Sequence, residues 1–159
     1  MSKKNNLYLG KAGQLVTMSY FLLRGWNVAV PEVDIGDDIF VVDDKKGAFY
    51  RVQVKTSQLV ERKGSNYSAQ FSVPSAQLEA DITPEIYYVF IVCRNNEWAD
   101  KIIIAREFLY QYYKRYSKST DVKENISLYF SFRDGKIFYY DVDITEFRNN
   151  FENFPIIQH

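Results

Sequence analysis

The chain has 159 residues, with 20 Lys and Arg balancing 20 Asp and Glu, 47% hydrophobic residues and one cysteine. That length carries one core, so a single domain over residues 1–159 is expected. The balanced charge announces no basic nucleic-acid surface. The lone Cys93 excludes an intramolecular disulfide, and the longest apolar run, residues 86–93, is far short of a membrane span.

No apolar run follows the first six residues, Met1-Ser2-Lys3-Lys4-Asn5-Asn6, so no signal peptide is read and a cytoplasmic location is expected. Residues 9–24 read as an amphipathic helix. Ala12, Leu15, Val16, Leu22 and Leu23 recur at helical spacing, with the small Ser19 on the same face. Gly25 stands where a left-handed C-terminal cap is expected. Residues 26–30 form a short strand stopped by Pro31. Residues 34–42 open as an acidic loop broken by Gly36, carrying Asp34, Asp37 and Asp38, and run into an apolar strand. After the strand at 51–55, residues 59–68 read as a solvated polar connection with Arg62, Lys63 and Gly64.

A short strand at 69–73 ends at Pro74, and residues 75–80 form a helical turn. Strands at 87–93 and 101–105 are joined across Asn95-Asn96-Glu97. The helix at 106–117 packs Tyr112, Tyr113 and Tyr116 on the sheet beside Phe108 and Leu109. Strands at 126–132 and 136–142 flank Asp134-Gly135, a hairpin signal, and Thr145 caps a last short helix through 151. Strands interleaved with helices predict an α/β domain, a central mixed β-sheet flanked by helices.

The chemistry concentrates in the second and third strands. Counting inward from Asp38 and Gln53 pairs Asp43 with Ala48 and leaves Asp44-Lys45-Lys46-Gly47 as an ordinary hairpin loop. In that register Asp38 and Gln53 lie opposite each other, about 5 Å apart at Cβ. Alternation puts Gln53 and Lys55 on one face and Val52 and Val54 on the other. An acid, an amide and an amine then converge on one patch, the layout of a metal-dependent phosphodiesterase site. Alone, Gln-Val-Lys is the pattern of any half-buried strand with its polar residues in water. By the same alternation Asp37 points to the opposite face of its strand from Asp38.

The ordered set of helix, strand, acidic loop, strand, turn and Gln-x-Lys strand resembles the PD-(D/E)XK nuclease superfamily. More narrowly it resembles its small stand-alone members in which Gln-x-Lys replaces Glu-x-Lys. The likeness spans residues 9–57, and the later strand–strand–helix pattern is compatible with it. It implies a restriction-endonuclease-like core and Mg²⁺- or Mn²⁺-dependent DNA cleavage. Asp38 would be the anchoring metal carboxylate, Gln53 the second ligand and the Val54 carbonyl a backbone ligand. Lys55 would orient the attacking water or neutralise charge on the scissile phosphate. Gln14 would fill the place of a first-helix acid, with Asp34 and Asp37 as spare carboxylates. A homodimer is implied where two sites cut two strands. Gln14 and Gln53 depart from the usual acids, removing negative charge that would hold a cation. That keeps open a catalytically silent nucleic-acid-binding or defence-associated module, and, beyond it, an α/β interaction protein with no nucleic-acid role. The single histidine, His159, is terminal, which disfavours zinc sites and His-dependent nucleophiles.

Overall fold

The computed structural model describes residues 3–33, 36–116 and 124–156. Helix α1 spans Lys3–Leu22. It ends in a paired cap: Gly25 N–H donates to the Leu22 carbonyl and Trp26 N–H to the Phe21 carbonyl. Gly25 adopts φ +78°, the left-handed conformation this cap requires. The face it buries differs from the expected one. Gly13, Thr17 and Phe21 point inward, while Leu15, Leu22 and Leu23 are 56%, 53% and 81% exposed. Close approach explains the difference. A Cβ on Gly13 would stand 2.0 Å from the Thr56 Cγ2 atom, so small residues let the helix lie on the sheet where leucines could not.

Strands β1 (Asn27–Ala29), β2 (Ile39–Asp43) and β3 (Ala48–Gln58) run antiparallel in turn. The register runs from Ile39 opposite Val52 to Asp43 opposite Ala48, as counted from the sequence. The Asp43 side chain closes the turn by accepting the Lys45 and Lys46 N–H groups. The connection read as a loop contains a two-residue strand, β4 (Val60–Glu61), paired with the start of β5 (Tyr67–Pro74). A short helix α2 (Ser75–Glu79) leads to β6 (Ile86–Arg94), β7 (Glu97–Ala105) and helix α3 (Arg106–Tyr116). β8 (Asn125–Arg133) and β9 (Lys136–Tyr139) form the Asp134-Gly135 hairpin. The strand expected to reach 142 breaks at Tyr140, which adopts φ +54°, and resumes as β10 (Val142–Asp143). Two 3-10 turns, Thr145–Phe147 and Asn150–Asn153, stand in place of the last helix.

The architecture is mixed α/β. One five-stranded sheet has the order β1-β2-β3-β6-β7, with β3 and β6 parallel and the other pairs antiparallel. A second has the order β10-β9-β8-β5-β4 and is antiparallel. Tyr50, Val52 and Val54 of β3 face α1 and the C-terminal turns. There Phe154 packs within 5.2 Å, ring to ring, of Phe21, Trp26, Tyr50 and Tyr87. The opposite face meets the second sheet, with Phe90 ring centres 4.8 Å from Phe71 and 5.1 Å from Phe130. Among the described residues, no helix is long and apolar enough to cross a membrane.

Candidate active site

Just before β2, Asp38 N–H donates to the Val52 carbonyl at 3.0 Å. Val52 already pairs with Ile39, so the paired register stops one residue short of Asp38 and Gln53, and it is their side chains that bring the two together. The Asp38 carboxylate accepts the Gln53 side-chain amide, and its Oδ2 also accepts the Val54 N–H at 2.7 Å. In a ladder, a residue's N–H and carbonyl turn to the same neighbouring strand. The Val54 carbonyl therefore lies on the side that its N–H shares with Asp38. Gln53 is only 6% exposed, which removes the reading of this strand as a water-facing surface. Asp38 and Lys55 are half-buried. Lys55 follows Gln53 on the same face, about 7 Å along the strand.

Gln14 reaches the same place from α1. Its Nε2 donates to the Asp38 carbonyl at 2.6 Å, and its Oε1 accepts Lys11 Nζ at 2.7 Å. The helix thus braces the Asp38 main chain rather than its carboxylate. Asp37 departs from expectation. It pairs with Arg51 Nε at 2.9 Å, and Arg51 shares the β3 face of Gln53. Residues 36–38 bend before β2 begins, so strand alternation does not reach Asp37. Its side chain is 1% exposed, and the guanidinium that compensates it makes it a structural anion, not a spare ligand. Asp34 and His159 lie outside the described residues.

Two residues that sequence reasoning missed complete the site. Gln77 of α2 donates from Nε2 to the Gly36 carbonyl at 2.6 Å and to Gln53 Oε1 at 3.4 Å. The Tyr88 hydroxyl donates to Gln77 Oε1 at 2.8 Å. A chain of donors thus runs from Tyr88 through Gln77 and Gln53 to Asp38. Burial pushes the Tyr88 phenol well above the ordinary tyrosine value; Arg106 partly offsets this, and Glu85 and Asp37 add to it. It therefore remains a neutral donor. Gly36 is required here. Its φ is +101°, and a Cβ would sit 2.7 Å from the Gln77 amide nitrogen. No motif marks Gln77 in the sequence. Tyr88 is set beside Gln53 by the parallel β3–β6 register, a tertiary pairing that local sequence pattern does not specify.

The oxygen donors suit a hard cation such as Mg²⁺, which takes one or two carboxylates and keeps waters and substrate phosphates as further ligands. Asp38 could offer one carboxylate and Val54 a carbonyl to such an ion. The Gln53 oxygen faces Gln77, so its amide must turn over to become a ligand. Among the described residues, no cluster of three or more His, Cys, Asp or Glu assembles.

No protein-family profile matches the chain, and no curated protein matches it significantly. Among solved structures, the chain is similar to a bacterial homing endonuclease, I-Ssp6803I. The TM-score is 0.41 and the sequence identity 17%, over 75% of this chain and 71% of that one. No activity is transferred to this chain from that likeness.

Proposed function

We propose that this chain is a Mg²⁺- or Mn²⁺-dependent DNA endonuclease of the PD-(D/E)XK type, hydrolysing phosphodiester bonds at Asp38, Gln53 and Lys55. One observation supports it above the rest. The Asp38 carboxylate meets Gln53 and the Val54 N–H, with Lys55 next along the same face, in a half-buried setting braced by Gln14. Such an arrangement suits phosphoryl chemistry, which needs positioning and charge more than covalent participation.

Asp38, the Val54 carbonyl and a turned Gln53 amide would hold the cation. When bound, it polarises a phosphoryl oxygen and makes water a stronger nucleophile. The chain's own residues do the rest. Gln14 fixes the Asp38 backbone, and Gln77 and Gly36 fix the loop before it. Lys55 offers a compact positive charge to the phosphate as negative charge builds on its oxygens. A water oxygen bonds to phosphorus, the bond to the leaving oxygen breaks, and a proton passes to that oxygen. Two copies would be needed to cut both strands together, so a homodimer accompanies duplex cleavage in this reading.

Nicking of supercoiled plasmid in Mg²⁺ or Mn²⁺ tests the proposal. Asp38→Ala and Lys55→Ala are each expected to lower the rate at least about 100-fold. Cleavage unchanged in both variants would exclude this site. A second reading draws on the Gln53 amide, whose N–H meets Asp38 so that the pair is satisfied without a cation. That reading is a nucleic-acid-binding module that does not cut, and DNA binding without cleavage in either metal is its signature.

A further inference from the structure

Helix α1 is apolar on the face it turns to water as well as on the face it buries. Gly13, Thr17 and Phe21 meet the sheet. On the opposite face Leu7, Tyr8, Leu15 and Leu22 are 75%, 66%, 56% and 53% exposed, and Leu23 in the closing turn is 81% exposed. At about 100° per residue all five fall within one half of the helix circumference. Among the described side chains, Lys11 is the one charge on that half. A surface helix ordinarily turns its charged residues to water. The five expose roughly 500 Å² of apolar surface, towards the upper end of what the largest patch of a monomer reaches.

The pattern is palindromic. Tyr8 and Leu22 lie seven residues either side of Leu15, and Leu7 and Leu23 lie eight. Nearer in, Ala12 and Met18 lie three either side, a small residue answering a large one, and Lys11 and Ser19 lie four. An isologous contact demands this symmetry, because where residue i meets j, j must meet i. With a second copy laid antiparallel and Leu15 at the two-fold axis, Tyr8 meets Leu22, Leu7 meets Leu23 and Lys11 meets Ser19. A parallel pair would instead set Lys11 on Lys11, and α1 holds no acid to compensate them. A partner of another sequence would need no symmetry at all. We propose that two copies of this chain pair antiparallel through the outer face of α1, about Leu15. Burying the patch in both copies removes roughly 1,000 Å², the lower limit of a specific interface, so the pairing is reversible and of micromolar strength.

The pairing bears on the candidate site. Gln14, next to Leu15 and about 100° round the helix from it, reaches the Asp38 carbonyl, and Lys11 on the paired face holds the Gln14 oxygen. The two-fold axis of an antiparallel helix pair stands perpendicular to the plane of the two helices. A group displaced along that axis in one copy is displaced to the same side in the other. Both Gln14 side chains, and the Asp38 sites they brace, therefore lie on one side of the helix pair and level with each other. That two such sites serve the two strands of one duplex rests on the nuclease reading; the pairing itself does not.

Sedimentation equilibrium of the whole protein between about 1 and 100 µM should show a reversible monomer–dimer equilibrium. Leu15→Glu, which sets two carboxylates together at the axis, should leave monomer alone, with an unchanged circular dichroism spectrum because Leu15 already stands more than half in water. Orientation is read by cross-linking. Under mild oxidation Leu15→Cys should join to itself, and Tyr8→Cys should join only to Leu22→Cys; the native Cys93 is buried and does not compete. A protein monomeric throughout, a dimer that survives Leu15→Glu, or Tyr8→Cys joined to itself overturns the proposal. So does a monomer that floats with phosphatidylcholine vesicles unless Leu15 is replaced by Glu, which would assign the face to a lipid surface. Plasmid nicking by a wild type that never dimerises removes the pairing alone. A dimer that never nicks removes the nuclease reading alone.

Discussion

Gln53 shows how one amide can be committed at both ends. Its nitrogen serves the Asp38 carboxylate and its oxygen takes the Gln77 amide, which Tyr88 and Gly36 hold in turn. An amide at this place brings no charge, but it can donate where a carboxylate could only accept. Gln77 is the keystone. In Gln77→Leu, the Gly36 carbonyl, the Gln53 oxygen and the Tyr88 hydroxyl each lose this partner. Gln53 and Tyr88 are buried, and leaving a buried polar group unmet costs about 1–3 kcal/mol, so the urea midpoint should fall by an amount well outside error. The side-chain amide resonances of Gln53 should also move while the variant remains folded. A merely space-filling role for Gln77 predicts unchanged Gln53 resonances. None of this was legible in the sequence. Gln77 sits in an unremarkable helical turn, and its partners come from residue 36, residue 53 and residue 88, which only the tertiary structure gathers.

Elements were legible in unequal measure. The β2–β3 hairpin could be counted because Asp38, Gln53 and the four-residue turn fix one register, and that register holds through every pair from Ile39 to Asp43. The existence of α1 was equally readable, but its facing was not. Periodicity favours the leucine stripe, yet Gly13 and Thr17 are buried because β3 comes too near for anything larger. Alanine improves intrinsic helix propensity over glycine by about 1 kcal/mol. At position 13 the sign should reverse. The new Cβ meets the Thr56 methyl, and overpacking costs about 1–3 kcal/mol. Thr56→Ser removes that methyl, so Gly13→Ala should cost much less in its presence. A double-mutant cycle in urea measures this, with a coupling of about 0.5–3 kcal/mol expected between touching residues. Additive effects would mean that helix and strand separate easily, and that the small residues have another cause.

At the scale of the whole molecule, the second sheet changes the meaning of the first. Strand patterning revealed that Gln53 and Lys55 share a face, but not that β5 and β8 would cover its neighbouring strand through Phe71 and Phe130. Sheet-on-sheet packing depends on pairings between distant strands, such as β3 with β6, that local pattern does not specify. The same packing buries hydroxyls. Tyr88 on the first sheet and Tyr139 on the second are 0% and 2% exposed, and burial raises both phenols far above their ordinary value. Tyr87, beneath Phe154, is pushed up to about 12, by burial first and then by Glu85 and Tyr50. In the unfolded chain each ionises near pH 10. A raised folded value means the contribution to stability is fully present below pH 10 and is lost as pH climbs through the folded values. Each deeply buried tyrosine should remove up to about 1.4 kcal/mol per pH unit in that window. Urea unfolding between pH 8 and pH 11.5 should therefore show a flat region and then a steep fall. Tyr88→Phe should begin lower, having lost the bond to Gln77, and then decline less steeply than the wild type, so the two curves converge in alkali. Parallel curves would mean that water reaches the Tyr88 hydroxyl in the folded state, and that the donor chain to Asp38 begins in solvent instead of in the space between the sheets.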